Sequence, residues 1–400
     1  MSWRRAELAF LVVIAVALPL FEAPKNIFWF LYLFAWIGHR TQTPGTLGGP
    51  WRAWDTLIAV VLAGAGLSAI LAGLQGGEWV GARDVVRYGL ILWAISRTDY
   101  DAREWRWLFI ALLAGTLAAA LDGALRLNYR KDPELGLWSV GHPNQSAIYL
   151  TIMFGGAMSW LLAYWKSMAL RERAAWAAGA ALVAVAIVAT GSRVAVVVAA
   201  MYGLILGLWF VRRSWKPLFA ITAALGFAVG LIVMVHPWVL QKQLRNMGDD
   251  NVLAFRGLIW ERALTAWREY PAFGVGMDNF SRVDSARYRA WTEAQGKPYV
   301  KARDFPAPHA HSVYLNALAE RGAFGFAILL AFLSCWFYAQ VRTHPGPRDD
   351  LGWALWGSSL GAWFTITMIG LVNTTLHTEP ALIAMMFLGG WLSYRGRERG

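Results

Sequence analysis

The sequence predicts an all-α integral membrane protein with about twelve membrane-spanning helices and one long, partly helical loop on the non-cytoplasmic side. Three observations predict this class. The 400 residues are 57% hydrophobic and only 16% charged, with a mean hydropathy of +0.41, which is too apolar for an ordinary soluble enzyme. The apolar residues form runs long enough to cross about 30 Å of hydrocarbon. Lys and Arg are concentrated in alternate loops.

Each apolar run is interpreted as a helix, because an uninterrupted segment in hydrocarbon must pair its backbone polar groups internally. The first run is expected to be a retained helix and not a signal peptide, since a second run follows almost at once. The twelve runs begin near Ala6, Asn26, Trp54, Gly81, Trp105, Pro143, Ala174, Val194, Pro217, Gly322, Leu351 and Glu379.

The positive charges predict the orientation of these helices. If the N-terminus is cytoplasmic, the cytoplasmic segments carry eighteen Lys and Arg residues, and the short loops on the other side carry five. A bias of this kind sets membrane topology. We therefore expect both termini to lie in the cytoplasm. Because most of the formal net charge of +12 follows from topology, we expect no nucleic-acid partner.

Residues 237–321 form the single long segment between predicted helices, after the ninth and before the tenth, on the non-cytoplasmic side. Loops of this length are usually functional or disordered, and the aromatic residues and periodicity of this one predict order. We therefore expect residues 1–400 to form a single polytopic membrane domain, with the active site in the loop 237–321.

Within this loop, the segment NVLAFRGLIWERALTAWREY is predicted to form an amphipathic helix. At 100° per residue, Trp260 and Trp267 fall within about 40° of Arg256, whereas Arg262 points more than about 100° away. Arg256 is thus expected to be alone on the apolar face. It can be a snorkelling arginine whose stem packs on the tryptophans, or a cation held against the protein to bind an anion such as a phosphate.

Arg193 presents the same choice at a second position. It lies in the short sequence TGSR between the seventh and eighth runs, and therefore at the non-cytoplasmic boundary of the membrane. An arginine there can anchor the helix at the interface. It can also bind an anion, together with backbone groups that the adjacent glycine and serine leave free.

Two histidines, His309 and His311, directly follow the sequence FPAP. Prolines favour an extended backbone, which would place both rings on one side, as a metal pair needs. A third ligand with similar spacing is missing from the loop sequence, so we expect no metal. A histidine at the membrane face suits a general base, although capping of the following helix is an alternative. His311 is favoured as the base because it directly precedes the predicted helix SVYLNALAERG.

The stretch HSVYLNALAERGAFGF resembles the signature of the O-antigen ligase family of bacterial envelope enzymes. That signature is His followed by Asn, Ser or Gln, then nine residues, Gly, two residues and Gly. Here His311 and Ser312 are followed by nine residues, then Gly322 and Gly325. Phe326 departs from the usual Thr or Leu, and the departure is mild and apolar.

Three further stretches resemble segments of the same family. TGSRVAVVV is similar to the family's other landmark. FRGLIWERALTAWREYPAFGVGMDNF is similar to its arginine-bearing loop helix, with a Gly-x-Gly turn at Gly274 and Gly276. GHPNQSAIYL, which contains His142 and Asn144, is similar to the segment before the family's sixth helix. The four motifs occur in the family's order and on the expected face.

The resemblance implies a glycosyltransferase of the GT-C class in the bacterial inner membrane. The implied donor is undecaprenyl diphosphate-linked O-antigen, and the implied acceptor is the lipid A-core oligosaccharide. The transfer is expected to occur at the periplasmic face in lipopolysaccharide biosynthesis, with inversion and without a metal or other cofactor. His311 would be the catalytic base, Arg193 and Arg256 would bind the diphosphate, and the residues expected to line the site are His309, His142 and Asn144.

Three alternatives share parts of this interpretation. An O-antigen polymerase, or a transferase of oligosaccharide to protein, would use the same donor and fold with a different acceptor. A flippase or transporter of the lipid-linked glycan belongs to a different class, for which we would expect broken helices, inverted repeats and several charges within the membrane. The sequence shows no inverted repeat and few such charges.

Overall fold

The computed structural model describes residues 2–42, 47–129, 134–211 and 251–398. Within these ranges all regular secondary structure is helical, and no strand occurs. The α-helices are α1 (Trp3–Ala17), α2 (Glu22–Thr41), α3 (Ala53–Ile70), α4 (Glu78–Ser96), α5 (Ala102–Tyr129), α6 (Pro143–Ala163), α7 (Leu170–Ala189), α8 (Arg193–Val211), α9 (Asn251–Glu269), α10 (Ser285–Ala294), α11 (Val313–Arg342), α12 (Asp350–Gly370) and α13 (Thr378–Glu398). The predicted all-α class is confirmed.

Six of the described helices are long and apolar enough to cross a membrane by length and composition, namely α3, α5, α6, α7, α8 and α11. Every predicted apolar run that falls within the described residues coincides with a helix. The ninth run, near Pro217, lies outside them. The helices therefore indicate a multi-pass membrane protein.

Helix α6 lies at the centre of the bundle. All its residues from Ser146 to Ala163 are buried, and it packs against α7, α8, α12 and α13. A Cβ atom placed on Gly155 would lie 3.3 Å from the Cα atom of Gly361. The two glycines therefore allow α6 and α12 to approach closely, as small residues do between membrane helices. This packing fixes the start of α6 relative to the end of α12.

Two buried basic residues of the bundle have carboxylate partners. Lys25 forms an ion pair with Glu379, and its Nζ also donates to Ser139 Oγ at 2.7 Å. Arg97 pairs with Asp55 at 2.7 Å, with both side chains almost completely buried. Breaking a buried ion pair leaves an uncompensated charge. A buried cation that stabilises the bundle is therefore expected to have a carboxylate partner in the chain, as Lys25 and Arg97 do.

Residues of the long loop form a second, smaller hydrophobic core, called here the loop core. The predicted amphipathic helix is confirmed as α9, and its buried apolar residues face this core. The ordered loop therefore has a core of its own and does not simply lie on the membrane bundle. The buried residues of the loop core are Ile259, Ala263, Ala266, Val275, Phe280, Val283, Tyr288, Ala310 and Ala319.

Arg262 lies on a different face of α9 from Arg256, as predicted, but this face is also covered by protein. Its side chain is 1% exposed, pairs with Asp304, and donates to the carbonyl oxygen of Val283 at 2.6 Å. The guanidinium carbon also lies 4.8 Å from the centroid of the Tyr288 ring. The reason is that α9 packs against both α11 and α10, so two of its faces are covered. Arg256 is thus not the only arginine of α9 held against the protein.

Candidate active site

Helix α11 begins at Val313 and is interrupted at Gly322 by a non-helical conformation, with φ 62° and ψ −167°. The tenth apolar run, predicted from Gly322, is therefore the second part of a longer helix. A Cβ atom on Gly322 would lie 2.3 Å from the carbonyl carbon and oxygen of Ala272. Both the positive φ and the lack of space require glycine at this position.

The loop segment 271–276 satisfies the backbone groups that the interruption of α11 leaves free. Amides of the segment donate to carbonyls before Gly322, and amides after Gly322 donate to carbonyls of the segment. The four bonds are Val275 N–H to Ala319 O (2.9 Å), Gly276 N–H to Glu320 O (2.9 Å), Ala323 N–H to Pro271 O (2.8 Å) and Phe324 N–H to Ala272 O (3.1 Å). Since buried backbone groups need partners, this exchange attaches the loop rigidly to α11.

His311 is held by polar contacts on both sides of it in the chain. The amide of Ala310 donates to Asn316 Oδ1 at 3.0 Å, and Ser312 caps α11 by accepting from the Leu315 amide at 3.4 Å. Between them, His311 has a φ of 46°, which is uncommon for a residue other than glycine and marks functional sites. The predicted extended backbone is therefore wrong at His311, because these contacts turn the chain there.

The half-buried ring of His311 lies among polar groups from three other parts of the chain. It forms a side-chain hydrogen bond with Asn373 and is within electrostatic reach of Arg256 and His142. Burial, with a further contribution from Arg256, lowers the pKa of His311 below its ordinary value of 6.5, and the bond to Asn373 opposes this shift. The ring is therefore mostly neutral at pH 7 and able to accept a proton.

Arg256 is the cation of this group. Its side chain is half-buried, and burial lowers the pKa of the guanidinium. Unlike Arg262, it makes no hydrogen bond or ion pair with any residue that the structure describes. A planar guanidinium with unused donors next to a neutral imidazole is suited to bind a phosphate group.

His142 belongs to the same group through the start of α6. It is the N-cap residue of α6, where its Nδ1 accepts from the amide of Asn144 at 3.1 Å. The neighbouring Gln145 donates from Nε2 to the carbonyl oxygen of Thr374 at 2.9 Å. That bond holds the start of α6 against the segment that contains Asn373, and so brings His142 towards His311.

Arg193 is the first residue of α8 and is half-buried. The last residue of α7, Ala189, accepts from the amide of Leu135 at 3.0 Å. The start of α8 thus lies on the same face as the segment that leads to His142. The contacts described above bring His311, Arg256 and His142 together. They place Arg193 on the same face of the protein as these three residues but do not connect it to them.

His309 has different surroundings from His311. Its ring centroid lies 4.9 Å from that of His377, and it lines a polar cavity of about 60 Å³, called here the His309 cavity, with Asp84 and Asp278. Burial, followed by the charge of His377, lowers the pKa of His309 to about 4. In the described part of the chain, no group of three or more His, Cys, Asp or Glu side chains is arranged to hold a metal ion.

Comparison with known proteins finds a matching family model over part of the chain. Residues 178–330 match the family model described as O-antigen ligase. This range contains Arg193, Arg256, segment 271–276 and His311. This part of the chain is therefore similar to the O-antigen ligase family. The resemblance noted in the sequence motifs is thereby confirmed.

A curated relative extends the similarity beyond the matched domain. The exopolysaccharide production protein ExoQ of Rhizobium meliloti (strain 1021) is 26% identical over 314 residues. The aligned region covers 74% of this chain and 68% of that protein. The similarity to this relative therefore extends through most of the helical chain.

Sequence reasoning missed two polar residues that position His311. Asn373 follows α12 and binds the ring, and its signal in the sequence was the short polar stretch NTTLHTE between two apolar runs. Asn316 bridges the Ala310 amide and Glu320, to which its Nδ2 donates at 2.8 Å. Its signal was the spacing of four from Glu320 in an otherwise apolar helix, which places both residues on one face.

Proposed function

We propose that this protein transfers O-antigen polysaccharide from undecaprenyl diphosphate to the lipid A-core oligosaccharide at the periplasmic face of the bacterial inner membrane. One observation carries this proposal. The neutral ring of His311 shares a half-buried site with Arg256, which makes no ion pair with a described residue. The O-antigen ligase domain and the ExoQ relative support a membrane enzyme that acts on polysaccharide.

The proposed reaction uses His311 as the base. The acceptor hydroxyl gives its proton to the ring nitrogen that is not bound to Asn373, and its oxygen attacks the anomeric carbon opposite the diphosphate. The bond between that carbon and the diphosphate oxygen breaks, and the electron pair leaves with the diphosphate, so that configuration is inverted. Arg256 and Arg193 stabilise the charge on the leaving group by fixed donors. The transfer needs no metal or other cofactor.

The proposed topology has about twelve spans, both termini in the cytoplasm and the loop 237–321 in the periplasm, in a fold of the GT-C class. The bias of Lys and Arg between alternate loops supports it. A Cys335→Ser variant provides a cysteine-free background. In spheroplasts, Ser285→Cys should react with a membrane-impermeant thiol reagent, and Ser167→Cys, between α6 and α7, should not. Both positions are exposed, and the reverse labelling would overturn the orientation.

A polymerase of O-antigen repeat units is the second candidate function. It is favoured by one observation, the similarity over 74% of this chain to a relative named for exopolysaccharide production. A polymerase would use the same base and the same cations. Its acceptor would be a second lipid-linked repeat unit in place of lipid A-core.

The deciding experiment supplies purified protein with an undecaprenyl diphosphate-linked glycan and one of two acceptors. Glycan attached to lipid A-core supports the ligase, whereas a longer carrier-linked glycan formed without lipid A-core supports the polymerase. If neither acceptor gives a covalent product and proteoliposomes move the donor across the bilayer, the protein is a transporter.

A further inference from the structure

Arg321 is a second half-buried arginine that has no hydrogen bond or ion pair in the described part of the chain, although Glu320 and Tyr88 lie within electrostatic reach. Its Nε–H is buried and makes no hydrogen bond, and its guanidinium forms no ion pair. The carboxylate of the adjacent Glu320 is bound by Asn316 instead. Lys25 and Arg97, by contrast, have carboxylate partners. Because an unpaired buried charge is costly, the position of Arg321 favours an anion that comes from outside the chain.

The position of Arg321 along α11 corresponds to the level of lipid phosphates. From Gly322 to Arg342, α11 is about 30 Å long at about 1.5 Å per residue, which matches the thickness of the hydrocarbon layer. The part before Gly322 is bonded to segment 271–276 and lies outside that length. Arg321 therefore lies where the apolar part of α11 enters the membrane.

An apolar groove leads away from Arg321 between α3, α4 and α11. It encloses about 70 Å³, and its α11 wall runs through Gly325, Leu329 and Phe332, on successive turns below Arg321. Ser68 of α3 also lines the groove; it is fully buried, and its hydroxyl oxygen has no hydrogen-bond partner among the described residues. A narrow apolar groove with a cation at one end fits a single hydrocarbon chain with an anionic head.

Gly325 leaves room for the Arg321 side chain at one end of this groove. A Cβ atom on Gly325 would lie 2.1 Å from Cβ and 3.1 Å from both Cγ and Cδ of Arg321. The arginine stem therefore crosses the bare backbone of the glycine. The end of the groove at Arg321 also borders the His309 cavity, because Arg321 and Tyr88 line both spaces.

We propose that the groove between α3, α4 and α11 binds the part of the lipid carrier's polyprenyl chain that is next to the phosphate, and that Arg321 binds this phosphate. The identity of the carrier rests on the proposed function. A polyprenyl phosphate has one chain and an anionic head, which matches a narrow groove with one cation. A phospholipid has two chains and fits it less well. Arg321 is thus a carrier-binding residue separate from Arg256, on the membrane side of the site.

The test measures binding of undecaprenyl monophosphate to the purified full-length protein in detergent, without donor glycan or acceptor. Arg321→Met, which keeps the length and removes the charge and its hydrogen bonds, should weaken binding about tenfold or more. The matched control is Arg342→Met, at the exposed far end of α11, which should bind within about twofold of the unaltered protein. Arg321→Lys should fall between them.

A second pair of variants tests the groove itself. Ala65→Leu fills the groove and should weaken binding of undecaprenyl monophosphate. Gly66→Leu on the same helix adds a side chain where a Cβ would meet nothing within 4 Å, and should leave binding unchanged. Gly325→Ala displaces the stem of Arg321 and should act in the same direction as Arg321→Met.

The outcomes separate this inference from the proposed function. Unchanged binding by Arg321→Met, with an unchanged thermal midpoint, overturns the inference, as does displacement of undecaprenyl monophosphate by an equal amount of phosphatidylglycerol. A folded Arg321→Lys variant with weakened binding supports it even if the Met variant fails to fold. Binding is measured separately from transfer, so an unaltered protein that binds the carrier through Arg321 but forms no product with either acceptor refutes the transferase and leaves the inference intact.

Discussion

The loop core and the His311 site lie along one helix, α9, and each contains one arginine of that helix. The two arginines differ in their burial and in their partners. In the loop core, Arg262 is 1% exposed, pairs with Asp304 and stacks on Tyr288. In the His311 site, Arg256 is half-buried and has no hydrogen-bond or ion-pair partner among the described residues. Two residues of the same type, less than two turns of helix apart, thus have different electrostatic surroundings.

The difference separates arginines that stabilise the fold from arginines that bind a ligand. A cation whose partners are in the chain contributes to the structure, and its loss leaves a buried carboxylate unpaired. A cation that is desolvated without a partner in the chain is poised to bind an anion from outside. Arg321 resembles Arg256 in this respect, and Lys25 and Arg97 resemble Arg262.

The largest effect is expected from the base of the His311 site. His311→Ala should lower the rate of glycan transfer by about 100-fold to 10,000-fold, the usual contribution of a general base. Donor binding should be largely kept, because the arginines remain. The measurement is transfer in vitro with saturating donor and acceptor, accompanied by a thermal unfolding curve. Near-normal turnover in a folded His311→Ala protein would show that another group takes the proton.

The pH dependence of transfer gives an independent measure of the same base. The pKa of His311 is lowered below 6.5. The neutral ring therefore predominates at pH 6.5 and above, and it becomes protonated as the pH falls through the lowered pKa. The value of kcat/KM should therefore be constant from pH 7 to 8 and decline below pH 6.5. Because the hydrogen bond to Asn373 raises the pKa, Asn373→Ala should move this decline to lower pH. An unmoved decline would argue against the contact.

Loss of the buried arginine of the loop core should lower the stability of the protein. Arg262→Met leaves the carboxylate of Asp304, which is 5% exposed, without its cation. We expect the free energy of unfolding to fall by about 3 kcal/mol, seen as a lower thermal midpoint. The double variant Arg262→Met, Asp304→Asn removes both charges and should recover part of the loss. If transfer fell while the thermal midpoint stayed the same, Arg262 would belong to the site, and the comparison would fail.

Arg256 should give the converse result. Arg256→Lys keeps the charge and loses the planar pair of donors. We expect a loss of about 2 kcal/mol in transition-state stabilisation, or about thirtyfold in kcat/KM, by analogy with removal of one oxyanion donor. The thermal midpoint should be unchanged. Full activity at limiting and saturating donor would identify Arg256 as an interfacial anchor. Arg193→Lys is the parallel test for the start of α8.

The sequence predicted helices well because their signal is local. Long apolar runs and alternating positive loops suffice to locate them, and every run within the described residues coincides with a helix. The conformation at Gly322 was not predictable in this way, since it depends on backbone bonds to segment 271–276. The second covered face of α9 was missed for the same reason, because periodicity shows one apolar face and does not show what packs on the others.

The candidate site was predictable where a motif carried it. Arg193, Arg256 and His311 could be chosen from family-like segments, Arg193 and His311 near predicted helix boundaries and Arg256 on the apolar face of a predicted helix. Asn373 and Arg321 could not be chosen in this way. The role of Asn373 depends on its contact with His311, which comes from a distant part of the chain. The role of Arg321 depends on the lack of an ion pair or hydrogen bond among the described residues. An unpaired charge becomes visible only when its surroundings are known.

The smallest effect is expected at His309, which tests whether two histidines separated by one residue have separate roles. His309 faces His377 in the His309 cavity and has a pKa of about 4, whereas His311 faces Arg256 and Asn373. His309→Ala should therefore reduce transfer by less than about threefold, since neutral imidazole there makes no charge contact with the leaving group. The measurement is transfer by both single alanine variants, with and without a chelator. A loss at His309 as large as that at His311 would show that the roles of the two rings are not separate, and inhibition of the unaltered protein by the chelator would show that they act together on a metal.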